Sequence, residues 1–128
     1  MRKLKLQVQM SVDGFIADKT GDMSWMVWPY SPVIWNWDDE LKQYHIDLTT
    51  SSDCILLSSQ MAGGFHDHWE KAAEDPTDPR YAFAKPITDM DKVVFSTRLK
   101  KSEWMNTRIA KGEFVNEINE MKKSQART

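Results

Sequence analysis

Asp53-Cys54-Ile55-Leu56-Leu57-Ser58-Ser59 holds the stretch that decides the fold class: four apolar residues in a row, bounded on both sides by polar ones. A strand with one wet face alternates apolar and polar side chains. An unbroken apolar run of this length instead suits a strand covered on both faces, as in a parallel sheet. Upstream, Asp38-Asp39-Glu40 places carboxylates where a helix begins. Leu41, Tyr44 and Leu48 follow at i, i+3 and i+7, which predicts an apolar stripe on a helix ending near Thr50. Downstream, Met61, Phe65 and Trp69 share one helical face, weakened by Gly63-Gly64. Residues 74–80 read as a loop, and Tyr81 to Lys85 as a short helical piece before Pro86. Val93-Val94-Phe95 reads as another strand. Phe114, Val115, Ile118 and Met121 form the stripe of a last helix between Gly112 and Lys123.

The N-terminal region reads differently. Residues 4–10, Leu-Lys-Leu-Gln-Val-Gln-Met, alternate without a break and predict a strand with one buried face. Ser11-Val12-Asp13-Gly14 is turn chemistry, Phe15-Ile16-Ala17 resumes an apolar run, and Gly21-Asp22 opens a second loop. Trp25, Trp28, Tyr30, Trp35 and Trp37 then crowd a stretch in which Pro29 and Pro32 oppose a regular helix or central strand. Strands alternating with helices, joined by connections of crossover length, predict an α/β sheet that is at least partly parallel.

The chain of 128 residues, with 41% hydrophobic and 28% charged residues, has the balance of one folded domain and no continuous span for a membrane helix. Seventeen basic against nineteen acidic side chains leave a formal charge of −2, so no electrostatic pull toward nucleic acid or an anionic membrane is expected. Cys54 is the only cysteine, which excludes an intrachain disulfide and fits a reduced, cytoplasmic setting. The basic start is followed by no apolar stretch of the kind a signal peptide needs.

Open α/β sheets bind ligands beyond the carboxyl ends of their strands, beside the start of the next helix. Ser58-Ser59-Gln60 and Ser96-Thr97-Arg98 fall at such points, and hydroxyls with an Arg suit phosphate oxygens. The plainer reading is that Ser59 caps a helix and Arg98 is solvated. His66-Asp67-His68 has no third metal ligand nearby and reads as a surface or pocket-rim element in loop or frayed helix. The tryptophans from 25 to 37 suit a wall for a flat heterocycle and suit a core or subunit interface equally well. Asp38 and Asp39 are either a helix cap or a grip on an amino-heterocycle.

Taken in order, Met10-Ser-Val-Asp-Gly-Phe-Ile-Ala17, Gly21-Asp22, Trp25, Asp53-Cys-Ile-Leu-Leu57, Val93-Val-Phe-Ser-Thr-Arg-Leu99, Trp104 and Asn106 resemble the bacterial dihydrofolate-reductase-like family. That family includes the reductase domain of riboflavin biosynthesis, the RibD C-terminal domain. The resemblance runs from about residue 4 to about residue 122 and covers nearly the whole chain as a single domain.

It implies a mixed, mostly parallel sheet flanked by helices, and hydride transfer from NADPH to a pterin-like or aminouracil-ribosyl heterocycle. It implies that Gln9, Ile16 and Ala17 lie against the nicotinamide, and that Ser96, Thr97 and Arg98 hold the adenosine 2′-phosphate. Trp25, Asp38 and Asp39 would border the substrate. Two departures stand out. Ser58-Ser59 replaces the family's Gly-Arg after the second strand, removing a close backbone approach and a phosphate partner. The family's later strands and its Gly-Gly pyrophosphate turn have no counterpart after Gly112. A sheet lacking those C-terminal strands implies a fragment of a longer reductase, a homodimer whose subunits cover each other's edges, or a cofactor-free binding module of the same descent.

Overall fold

The computed structural model describes residues 1–23 and 37–124. After the N-terminal segment come α1 (Asp39–Thr50), β1 (Cys54–Ser58), α2 (Ser59–Ala73), α3 (Tyr81–Asp89), β2 (Asp91–Phe95), β3 (Thr107–Ala110) and α4 (Phe114–Lys123). The three strands are parallel in the order β1-β2-β3, so the fold is α/β as expected. Ile55, Lys92 and Thr107 lie side by side in register, as do Leu57, Val94 and Ile109, and these positions share one face of the sheet.

That face carries the core. Leu57, Val94 and Ala62 are buried together with Phe65, Leu99, Trp104 and Ile109 around them. A second cluster joins Phe83 and Ile87 of α3 to Ile46, Ile55, Phe65 and Trp69. On the opposite face Phe114 of α4 meets Phe95 edge-on at 4.8 Å, and Ile118 of the same helix is buried. The strand buried on both faces is β2, where Lys92, Val93 and Val94 are all buried, rather than β1. Because β1 is an edge strand, Cys54, Ile55 and Leu56 remain half-buried.

Two helices run past residues that oppose them. α2 continues through Gly63-Gly64, capped by the Ser58 hydroxyl, which accepts from the Met61 N–H at 3.3 Å. Burial of Ala62, His66 and Ala72 along one side holds a helix that propensity alone does not. α3 continues through Pro86, because Ile87 and Thr88 beyond it are buried. Its last carbonyls are taken by a lysine: Lys92 Nζ donates to the Thr88 and Met90 carbonyls at 2.9 and 2.8 Å. Burial lowers the pKa of that amine.

His66 is neither on the surface nor in frayed helix. It sits in α2 at 1% exposure, Nδ1 2.6 Å from the Ala62 carbonyl and Nε2 2.9 Å from the Thr107 hydroxyl, its ring stacked on Trp104 at 4.6 Å. A satisfied, stacked imidazole is a core side chain.

The predicted stripe on α1 is also displaced. Leu41, Tyr44 and Leu48 are exposed, and the inward positions are His45 and Ile46, with His45 stacked on Phe83 at 4.4 Å. The helix packs on α3, and that contact selects a neighbouring face.

Residues 4–10 join no strand. Their polar side chains turn to the end of α1, Lys5 Nζ donating to Ser51 Oγ at 2.9 Å and the Thr49 hydroxyl to Gln7 Oε1 at 3.3 Å. Alternation states a preference for a pleated, half-buried surface, but a ladder needs a partner backbone, and β1 to β3 do not provide one here. Among the described residues no helix is long and apolar enough to cross a membrane.

Candidate functional site

Because the strands are parallel, their carboxyl ends all open on one edge of the sheet, where the α2 and α4 segments begin. A cleft of about 370 Å³ lies there, lined by Ser59, Phe95, Ser96, Thr97, Arg98, Ala110, Lys111, Gly112 and Phe114. It is built first by a turn. The Ser96 side chain, 8% exposed, accepts from the Arg98 and Leu99 N–H groups at 3.1 and 3.0 Å, which fixes the backbone beyond β2.

Thr97 and Arg98 are exposed on that fixed turn, and Lys111 is exposed at the end of β3. The Arg98 and Lys111 side chains have no hydrogen-bond or ion-pair partner among the described residues. The nearest acid in sequence, Glu113, is engaged elsewhere: its carboxylate accepts from Val115 and Asn116 N–H at 3.2 and 3.0 Å, capping α4. Two free cations, two exposed hydroxyls and a helix start on one edge make an environment for a multiply charged anion.

Of the residues singled out in the sequence, Ser59, Ser96, Thr97 and Arg98 meet in this cleft. Ser58 lies beside it, and Ser58, not Ser59, is the cap of α2. Gln9, Ile16 and Ala17 line no part of it. They belong to a segment folded on its own turns, with Ser11 N–H on the Phe15 carbonyl at 2.8 Å and Asp18 N–H on the Asp22 carbonyl at 3.0 Å. Thr20 hydrogen bonds hold the Asp18 carboxyl below its ordinary range. Asp38 accepts from Leu41 N–H at 2.8 Å and is the cap of α1, with Asp39 in the first turn beside it. Trp25 and the aromatic stretch up to Trp35 fall outside the described residues.

Sequence reasoning missed Lys111, because β3 is too short to announce itself. Its one local signal is Asn106, whose positive φ of 53° marks the turn into the strand, with its carbonyl accepting from Lys92 N–H at 2.8 Å.

The amino ends of the strands border a larger cleft, about 490 Å³, with a different character. Arg2 pairs there with Asp53 at 2.5 Å and donates to Ser124 Oγ at 2.7 Å, while Arg108 lies 3.8 Å from Glu117. Cys54 also faces this cleft, and burial pushes its thiol pKa up, away from reactivity.

A parallel α/β sheet with a cationic, hydroxyl-lined cleft at the carboxyl ends of its strands defines the class as an α/β domain of the open-sheet kind. Compared with known families, residues 2–127 match the RibD C-terminal domain, and the chain belongs to that family. Its fold and lineage are therefore those of the dihydrofolate-reductase-like domains of riboflavin biosynthesis. No curated protein matches the chain.

Proposed function

We propose that the protein is an NADPH-dependent reductase of the riboflavin-biosynthesis type, acting on a pterin-like or aminouracil-ribosyl substrate. The observation that carries this reading is the pair of unengaged cations in one cleft, Arg98 on the turn fixed by Ser96 and Lys111 at the end of β3. The donor set fits the 2′-phosphate of the adenosine half: a guanidinium fork for two oxygens, an ammonium as a point charge, and the hydroxyls of Thr97 and Ser59 for the rest. NADPH, when bound, supplies the hydride; the chain supplies binding, orientation and exclusion of water. The nicotinamide end is assigned to Gln9, Ile16 and Ala17, and the substrate to Trp25, Asp38 and Asp39. Membership of the RibD C-terminal domain family supports the cofactor type.

The test is a fluorescence titration of the whole chain with NADPH and NADH, read through quenching of its six tryptophans. The expected result is saturable binding with NADPH preferred by about tenfold or more, roughly 1.4 kcal/mol. Equal affinity for the two nucleotides, or no binding, overturns the reading. A second reading, a cofactor-free dimeric binding module, is favoured by the exposed apolar residues Leu4, Leu6, Val8 and Met10, and it predicts that neither nucleotide binds.

A further inference from the structure

The contacts around His66 call for one more proton than a neutral ring supplies. Nδ1 lies 2.6 Å from the Ala62 carbonyl, which can only accept, so Nδ1 carries a proton. Nε2 lies 2.9 Å from the Thr107 hydroxyl, and that hydroxyl lies 2.8 Å from the Met105 carbonyl. A threonine has a single hydroxyl proton to give. With the ring neutral, Nε2 and the Met105 carbonyl are both acceptors, and one of them goes without. With a second proton on Nε2, the ring donates to Thr107 and Thr107 donates to Met105. Every contact is then made at once.

A charge on a buried ring needs support. The Trp104 indole offers it, stacked on His66 at 4.6 Å and 13°, with its negative face toward the imidazole. The charged groups on the surrounding elements are Glu70, one turn along α2, Lys92, beside Thr107 in the sheet register, and the exposed Lys101 and Glu103 ahead of Trp104. Lys92 is turned to the Thr88 and Met90 carbonyls. Among the described residues no charged group hydrogen-bonds to the ring.

The far end of this chain of contacts is the turn into β3. Asn106 stands there in the left-handed region, its carbonyl accepting from Lys92 N–H and its amide donating to the Thr88 and Asp89 carbonyls at 3.3 and 3.2 Å. β3 begins at the next residue and is only four residues long, so its hold on the body of the protein depends on such end contacts.

We infer that His66 is a proton-operated latch between α2 and β3. With the ring protonated, Ala62, His66, Thr107 and Met105 form one unbroken chain of hydrogen bonds that pins the turn into β3. With the ring neutral, the chain is broken at one link. The proton comes from solvent, so acid closes the latch and rising pH releases it.

Nuclear magnetic resonance of the full chain, titrated over the pH range in which it stays folded, tests this. The expected result is that Nδ1 of His66 carries a proton throughout and that Nε2 gains one on the acid side. Exchange protection of the β3 amides, corrected for the pH dependence of exchange itself, is expected to rise about tenfold in step with that gain. Thr107→Val keeps the shape of the side chain without its hydroxyl and is expected to abolish the rise, whereas Thr107→Ser retains it. The other imidazoles, His45 on Phe83 and His68 beside Arg80, give reference titrations that β3 does not follow. An Nε2 that stays bare at every pH, β3 protection that ignores the ring, or a Thr107→Val chain that behaves like the parent overturns the inference.

Discussion

At the amino ends of the three strands, Arg2 and Arg108 face a cleft of about 490 Å³; at the carboxyl ends, Arg98 and Lys111 face one of about 370 Å³. The larger cleft has its arginines matched by Asp53 and Glu117 from the same chain, so its charges hold the N-terminal segment, β1 and α4 together. In the smaller one the nearby Glu113 is drawn to the N–H groups of α4, and the cations stay free. The proposed site is thus the smaller of the two clefts, and what sets it apart is the balance of engaged against unengaged charge. The direction of the strands gives the reason. Helices start at their carboxyl ends, and helix starts attract the acids that would otherwise neutralise Arg98 and Lys111.

The largest effect that would break this contrast lies at Arg98. Arg98→Ala is expected to weaken NADPH binding about 10- to 100-fold, or roughly 1.4–2.7 kcal/mol, and NADH binding by less than about threefold. Equal losses, measured by parallel titrations, would remove the difference between the two ends. Ser96→Ala comes next. Loss of a buried acceptor from two N–H groups is expected to lower stability by about 1–2 kcal/mol, read as a shift in the urea midpoint.

Arg2→Ala sharpens the contrast from the other side. It is expected to lower stability by about 1 kcal/mol, since the ion pair is only partly screened from water, and to leave nucleotide affinity unchanged. Changed affinity would mean that the two clefts are coupled. The smallest effect is at neither end. Burial lowers the pKa of His45 from its ordinary 6.5, so below that pH the unfolded chain takes up a proton that the folded chain resists. Its contribution is present above pH 6.5 and is lost as the pH falls through the range below it. His45→Phe, which keeps a ring on Phe83, is expected to flatten the acid limb of the stability profile, checked by urea midpoints at about pH 5.5 and pH 8.

The same contrast governs what the residues disclosed. Cys54-Ile-Leu-Leu57 and Val93-Val-Phe95 announced two strands of a parallel sheet, since continuous apolar runs have few other uses. Which of the two is central depends on β3, whose four residues Thr107–Ala110 carry only two apolar side chains and no flanking pattern. The Ser96-Thr97-Arg98 turn was readable because it follows a visible strand, and Lys111 was not, because it follows an invisible one. Helix faces were misread where a neighbour chose otherwise: α1 turns His45 and Ile46 inward because α3 offers them Phe83, leaving Leu41 and Tyr44 outside. His66 looked like surface chemistry because a Gly-Gly pair suggested a broken helix, whereas packing against Trp104 and Thr107 keeps α2 whole.

Lys92 places a primary amine inside the central strand, where it holds the last carbonyls of α3. Burial favours the uncharged form of that amine, and at 3% exposure it meets little solvent while it holds the Thr88 and Met90 carbonyls. Acylation at this position is therefore expected to favour molecules that have opened. Each acylated copy loses the donor that closes the helix end and does not return to the same closed form. The yield of modified Lys92 over time would then rise with the rate at which the core opens, and it would run in one direction.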